Sequence, residues 1–309
     1  MMKINHRAVF ARVIPGFLIS IFLFSLLLTS FLIPAFGVSD SFKFEDKMTE
    51  EPVFSENSYS SKDISITVNE FSAEEGVLDT PYAVADIYLR DPHCMQSYFA
   101  GFSYERGFYC ASPMEILAPE SGAILAINGD YYISNQDSFV VRNGVLYREP
   151  LLDYDALALY EDGTMRVYSP SELMTDSQIK KASENAWQIW SFGPSLLDEN
   201  GKALRDFNSS IIGISNNHPR TAIGYYEPGH YCFVTIEGRV NGTPGATFEE
   251  MAYLFESLGC SLAYNLDGGA SSSMMFNNTR ILDKSPSERC IPDIILITEY
   301  DGSFAQKNS

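Results

Sequence analysis

The chain has 309 residues, 45% of them hydrophobic and 13% aromatic, with a formal net charge of −19. That apolar content is ample for a packed core and excludes a disordered chain. The charge excludes nucleic acid as a partner, because that affinity comes from phosphate neutralisation by Lys and Arg, and it opposes adsorption to an anionic membrane face. A phosphate-bearing substrate would need a local cluster of arginines, since the global field repels it.

At the amino terminus a basic segment (1–12) carries Lys3, Arg7 and Arg12. An uncharged run (13–38) containing FLISIFLFSLLLTSFLIPAF follows. The run is long enough to cross a bilayer, and the positive residues before it set the amino terminus in the cytoplasm. It reads as a retained transmembrane anchor, with a cleaved signal peptide as the rival because Ala35 and Gly37 suit small-residue cleavage. Either reading puts the remainder outside the cytoplasm, as a single-pass protein of the cell membrane or as a secreted one. Residues 39–63 are polar and acidic and read as a tether. Residues 64–309 read as one domain.

Strand signals begin at ISITVNEF and YAVADIYL, where apolar and polar residues alternate. They continue in AILAIN, FVVRNGVLY, ALALYEDGTMRVY, TAIGYY, YCFVTIEG and IPDIILITEY. Asn143-Gly144 and Asp162-Gly163 predict hairpin turns, because both pairs tolerate positive φ. Two helices are expected. SELMTDSQIKKASENA takes Ser171 as its cap. TFEEMAYLFESLG has Thr247 and Glu250 as a capping box, an apolar face of Phe248, Met251, Leu254, Phe255 and Leu258, and Gly259 as its stop. The pattern predicts an α+β fold: a single domain with a mixed, mostly antiparallel twisted sheet and a few packed helices.

Five cysteines (Cys94, Cys110, Cys232, Cys260, Cys290) fall in the exported part, where disulfides are permitted, and Cys94–Cys110 is the pair closest in sequence. No C-x-x-C spacing points to zinc.

Four segments end an apolar strand in a compact polar cluster: AINGDYY, NNHPRTAIGYY, TIEGRVNGTPG and NLDGGASS. If these ends meet on one rim, Asp130, Arg220, Glu237, Arg239 and Asp267 come together. Guanidinium forks fit phosphate oxygens, carboxylates supply acid and base, and glycine lets backbone N–H groups approach an anion. Each residue also has a plainer reading. Asp130 and Glu237 suit turns, Arg220 suits an ion pair, His218 suits a loop before proline, and Asn265 suits a bond to neighbouring backbone. NLDGGASS fits a plain turn least, since a turn needs only one glycine.

AINGDYY, HPRTAIG, EGR, TFEEMAYLFESLG and NLDGGASS, in that order, resemble the phosphodiester glycosidase family over roughly Ile64 to Tyr300. The resemblance implies hydrolysis of a sugar-1-phosphodiester, with a phosphate-linked carbohydrate as substrate. It implies Arg220 and Arg239 on the phosphate, Asp267 as base or nucleophile, and Glu237 or Asp130 as the second carboxylate. Asn128, His218, Asn265, Gly268, Gly269 and Ser271 would line the substrate. Glu237 stands where the family often has Asp, and Ala270 where it often has Gly. Clustered Asp, Glu and Asn oxygens would suit Ca²⁺, although no loop has the spacing of a known calcium motif. The alternative is a non-catalytic cell-surface module for polysaccharide binding or exopolysaccharide assembly, using Tyr131, Tyr132, Tyr225 and Tyr226 to stack on sugars.

Overall fold

The computed structural model describes residues 47–134, 136–151, 154–207 and 216–302. All of them belong to a compact unit spanning Phe36–Ser309. The expected anchor over 13–38 lies outside the described residues. Among those described, no helix is long and apolar enough to cross a membrane.

In chain order, β1 (Val53–Phe54), β2 (Ser58–Ser60), β3 (Ile64–Phe71) and β4 (Tyr82–Leu89) form an antiparallel meander. β5 (Met95–Phe99), α1 (Tyr104–Gly107), α2 (Met114–Ser121) and β6 (Leu125–Asn128) follow. Next come β7 (Val140–Arg142), β8 (Val145–Arg148), β9 (Ala156–Tyr160), β10 (Met165–Tyr168), α3 (Asp176–Ser183) and β11 (Ala186–Ser191). The last part holds β12 (Arg220–Glu227), β13 (His230–Ile236), α4 (Phe248–Leu258) and β14 (Leu262–Asn265). β15 (Met274–Phe276), β16 (Thr279–Ile281) and β17 (Asp293–Ile297) complete it.

The class is the expected one: α+β, antiparallel strands and few helices. The strands divide among three sheets rather than one, in the orders β1-β2-β3-β4-β13-β12-β14, β10-β9-β11-β7-β8 and β16-β15-β6-β17-β5. Period-two alternation explains how they pack. On β12 and β13, Ile223 and Phe233 are cross-strand partners that face a core shared with Leu125, Ile127, Leu157, Trp190 and Ile295 of the other two sheets. Their neighbours Ala222 and Val234 face the opposite way, onto Phe248, Met251 and Phe255 of α4. α4 has the predicted ends: Thr247 accepts from Glu250 N in a capping box, and Gly259 closes the helix in the left-handed region.

Several expectations need correction. Part of the expected tether is folded, because Tyr59 of β2 is buried and donates to Glu299 at 2.6 Å, pinning β1 and β2 to the sheet edge. The helix expected from Ser171 splits. A short 3-10 turn spans Pro170–Glu172, and α3 starts only at Asp176, because Thr175 and Gln178 form the capping box. Cys94 and Cys110 do not pair. Cys94 precedes β5, whereas Cys110 packs at Gly101 beyond the strand's other end. Five strand residues at about 3.3 Å each separate the two ends.

Candidate active site

The residues AYNLDGG carry the chain off the first sheet and into the site. β14 pairs with β12 up to Asn265 opposite Ala222, after which Leu266 N still donates to Thr221 O. Asn128, at the end of β6 in another sheet, fixes the next residue. Its Nδ2 donates to Asp267 O at 2.7 Å, while its Oδ1 accepts from Thr221 Oγ1 at 2.8 Å and from Ser273 N at 3.2 Å. Both glycines that follow are required. A Cβ on Gly268 would sit 3.0 Å from Pro219 O, and Gly269 has φ +62° with its N–H donating to the same carbonyl at 2.7 Å.

The Asp267 carboxylate is buried against Arg289, whose Nη2 donates to Oδ2 at 2.6 Å. Arg289 Nε donates to Ser271 Oγ at 2.8 Å, and Ser271 also bonds to Asp267. Below the guanidinium, 3.9 Å away, lies the ring of Tyr131, a residue held at φ 54° in the left-handed region that non-glycine residues rarely adopt. Burial raises the Asp267 pKa above the usual carboxylate value; Arg289, Ser271 and Gly268 N oppose the shift.

Arg220 opens β12. Its Nε donates to Ala246 O and its Nη2 to Asn216 O, both at 2.9 Å, and its guanidinium lies 4.1 Å over Phe248. Burial, reinforced by Arg239, lowers its pKa to about 10. Arg239 is exposed, with φ 63°, and its Nη2 donates to His218 Nδ1 at 2.7 Å. An arginine only donates, so His218 accepts at Nδ1 and carries its proton on Nε2. Burial and both arginines lower the His218 pKa, which keeps it neutral. Both arginine side chains border the turn after Asp267, Arg239 through its guanidinium and Arg220 through its stem: Cβ positions built on Gly268 and Gly269 fall 3.7 Å from Arg220 Cδ and 3.4 Å from Arg239 Nη2. Asp267, Ser271, Arg220, Arg239 and His218 thus surround one turn, and Arg289 joins them.

Asp130 is placed differently from the sequence expectation. It is fully buried in the scaffold rather than on the rim, with Oδ1 accepting from Arg142 Nη2 at 2.7 Å and Oδ2 from Ser191 N at 2.7 Å. Arg142 also reaches Asp293 at 3.3 Å, so two buried acids share one guanidinium. Burial, then the Asp130 charge, pushes the Asp293 pKa up to about 7 against the pull of Arg142. Glu237 braces a loop: Oε1 accepts from Thr243 Oγ1 and Oε2 from Asp283 N, both at 3.2 Å. Asn265 is likewise held by backbone, donating to Gly193 O at 2.7 Å. Among the described residues, no group of three or more His, Cys, Asp or Glu is arranged to hold a metal. Two open clefts of about 410 and 460 Å³ are lined by other residues.

Arg289 was not foreseen from sequence, although it makes the shortest contact to Asp267. It stands in the polar loop LDKSPSERC, where a charge looks solvated.

The sequence profile of phosphodiester glycosidases, a class of carbohydrate hydrolase, matches residues 121–298, more than half of the chain. The chain belongs to the phosphodiester glycosidase family. It is 31% identical over 198 residues to the SPbeta prophage-derived uncharacterized protein YomE of Bacillus subtilis (strain 168). That match spans 60% of this chain and only 29% of the relative's length. Among solved structures, the fold is similar to the catalytic domain of zebrafish N-acetylglucosamine-1-phosphodiester alpha-N-acetylglucosaminidase, auto-inhibited by its pro-peptide. There the TM-score is 0.58 at 18% identity, covering 77% of this chain and 83% of that one. A hypothetical protein from Synechocystis matches with a TM-score of 0.56 at 16% identity, over 76% of this chain and 62% of that one. At these identities the likeness to the solved structures is one of fold.

Proposed function

We propose that this protein hydrolyses the bond between the anomeric carbon of a sugar and the phosphate oxygen of a sugar-1-phosphodiester, releasing the free sugar and a phosphomonoester. The observation that carries this reading is the turn at Gly268–Gly269, with a buried carboxylate before it and the Arg220 side chain and the Arg239 guanidinium bordering it. Arg239, the more exposed of the two, grips the phosphate, and Arg220 adds charge from its fixed position over Phe248. Asp267 serves the anomeric centre as base or nucleophile, with Arg289 and Ser271 setting its orientation. His218 donates from Nε2. Gly268 and Gly269 let the turn close against Pro219 and Arg239, while Asn128 and Asn265 hold it in place.

A phosphate is already a good leaving group, so the reaction asks little of a general acid. That supports a centre with Asp267 as its principal carboxylate, Glu237 bracing the loop of Arg239 and Asp130 in the scaffold. The zebrafish relative, described as acting on an N-acetylglucosamine-1-phosphodiester, supports the substrate class. The apolar run over 13–38 would hold the domain at the outer face of the cell membrane, facing phosphate-linked surface glycans.

The test is incubation with the methyl diester of N-acetylglucosamine 1-phosphate. Release of a reducing sugar and methyl phosphate is expected. Release of methanol and sugar phosphate, or binding without any product, contradicts the reading; the latter is the behaviour of a non-catalytic polysaccharide-binding module.

A further inference from the structure

Of the five cysteines, Cys94 lies before β5, while Cys110 and Cys290 are exposed on loops. Cys232 and Cys260 differ. Their sulfurs are 3.7 Å apart, and the two residues are 0% and 2% exposed. Cys232 lies in β13, and Cys260 follows the Gly259 stop of α4, one strand away across β12. The space for both sulfurs is made by Gly224 of β12, the cross-strand partner of Cys232. A Cβ there would fall 2.6 Å from Cys232 Sγ, 2.8 Å from Cys260 Sγ and 2.9 Å from the Phe255 ring. A central strand rarely carries glycine without a reason, because glycine weakens it. Here the residue leaves room for the sulfur pair.

We propose that Cys232 and Cys260 form a disulfide that ties β13 to the junction of α4 and β14. The sulfurs stand 3.7 Å apart, against a bonded distance of about 2.0 Å. The step is a thiol–disulfide exchange with an oxidant of the disulfide class. The two thiols lose two electrons and two protons, one S–S bond forms, and the oxidant's S–S bond opens to two thiols. The exported setting expected from the apolar run supplies such oxidants. Because both sulfurs end up buried, the bond forms on the folding chain before the core closes over it.

The tie matters for the site. The loop it closes contains the whole of α4, whose Phe248 lies beneath Arg220, and the chain leaving Cys260 runs through β14 straight to Asp267. A bond at this junction anchors the acid and the support of one cation to the same central strand. This inference is independent of the proposed reaction.

The experiment uses the full chain produced in an oxidising, extracytoplasmic compartment. It is denatured in N-ethylmaleimide without reductant, digested, and mapped by mass spectrometry. A peptide pair joined through Cys232 and Cys260 is expected, with Cys94, Cys110 and Cys290 alkylated. Recovery of Cys232 and Cys260 as alkylated thiols, or joined to other cysteines, overturns the proposal. Thermal unfolding with and without reductant is the second measurement. Reductant is expected to lower the Tm of the unaltered protein by several degrees and to leave a Cys232→Ala/Cys260→Ala protein unmoved. Equal shifts in both overturn the proposal as well.

Discussion

Arg289 donates to Asp267 at 2.6 Å across a separation of 22 residues, and in the same pose its Nε holds Ser271. The acid, the serine and the guanidinium therefore form one unit in which Arg289 opposes the upward push of burial on the Asp267 pKa.

Arg289→Ala removes that opposition, so the Asp267 pKa rises further. If the reaction uses ionised Asp267, the acid limb of the pH–rate profile moves to higher pH. Activity on its slope then falls by roughly 10- to 100-fold, the equivalent of one charge-assisted hydrogen bond. Arg289→Lys should restore part of the loss, since it keeps charge but not the fork. A profile unchanged in position would show that Arg289 does not tune Asp267. The readout is kcat/KM against pH on the sugar-1-phosphate diester.

Arg239→Ala separates binding from folding. The side chain is exposed and, among the described residues, hydrogen-bonds to His218 and Ser287, so the Tm should move little. KM for the diester should rise about 10- to 100-fold, with a similar weakening of inhibition by inorganic phosphate. Unchanged KM would remove Arg239 from the phosphate.

Asp293 gives a prediction about stability. Its folded pKa, about 7, lies above its unfolded value. The folded protein therefore binds the extra proton, and the contribution to stability is complete below the unfolded pKa. It is lost as pH rises through about 7. Tm should decline between about pH 5 and pH 8, and Asp293→Asn should flatten that decline because the amide carries no charge to bury. Parallel Tm–pH curves for the two proteins would contradict the assignment.

α4 was legible because its determinants are local: Thr247 and Glu250 three residues apart, a helical apolar stripe, and a terminal glycine. The turn after Asp267 was legible for a similar reason, since only close backbone contact explains two successive glycines beside an acid. Pairings made at long range were not legible. β17 joins a sheet with β5 and β6, contributed by a much earlier part of the chain, so three sheets read as one. Arg142 stands just before the Asn143-Gly144 turn, where an arginine usually faces solvent; instead it turns inward between Asp130 and Asp293, and this withdraws Asp130 from the rim. The partner of Asp267 lay hidden in a polar loop for the same reason: ion pairing across distant segments leaves no periodic trace.

The central claim, that Asp267 performs the chemistry, is tested most directly by Asp267→Asn. The substitution keeps the side chain's shape and removes its charge. Reducing-sugar release from the N-acetylglucosamine 1-phosphate methyl diester should fall by about 10²- to 10⁴-fold, the usual contribution of a general base, while circular dichroism shows an intact fold. Turnover equal to that of the unaltered protein, with the fold preserved, would contradict it.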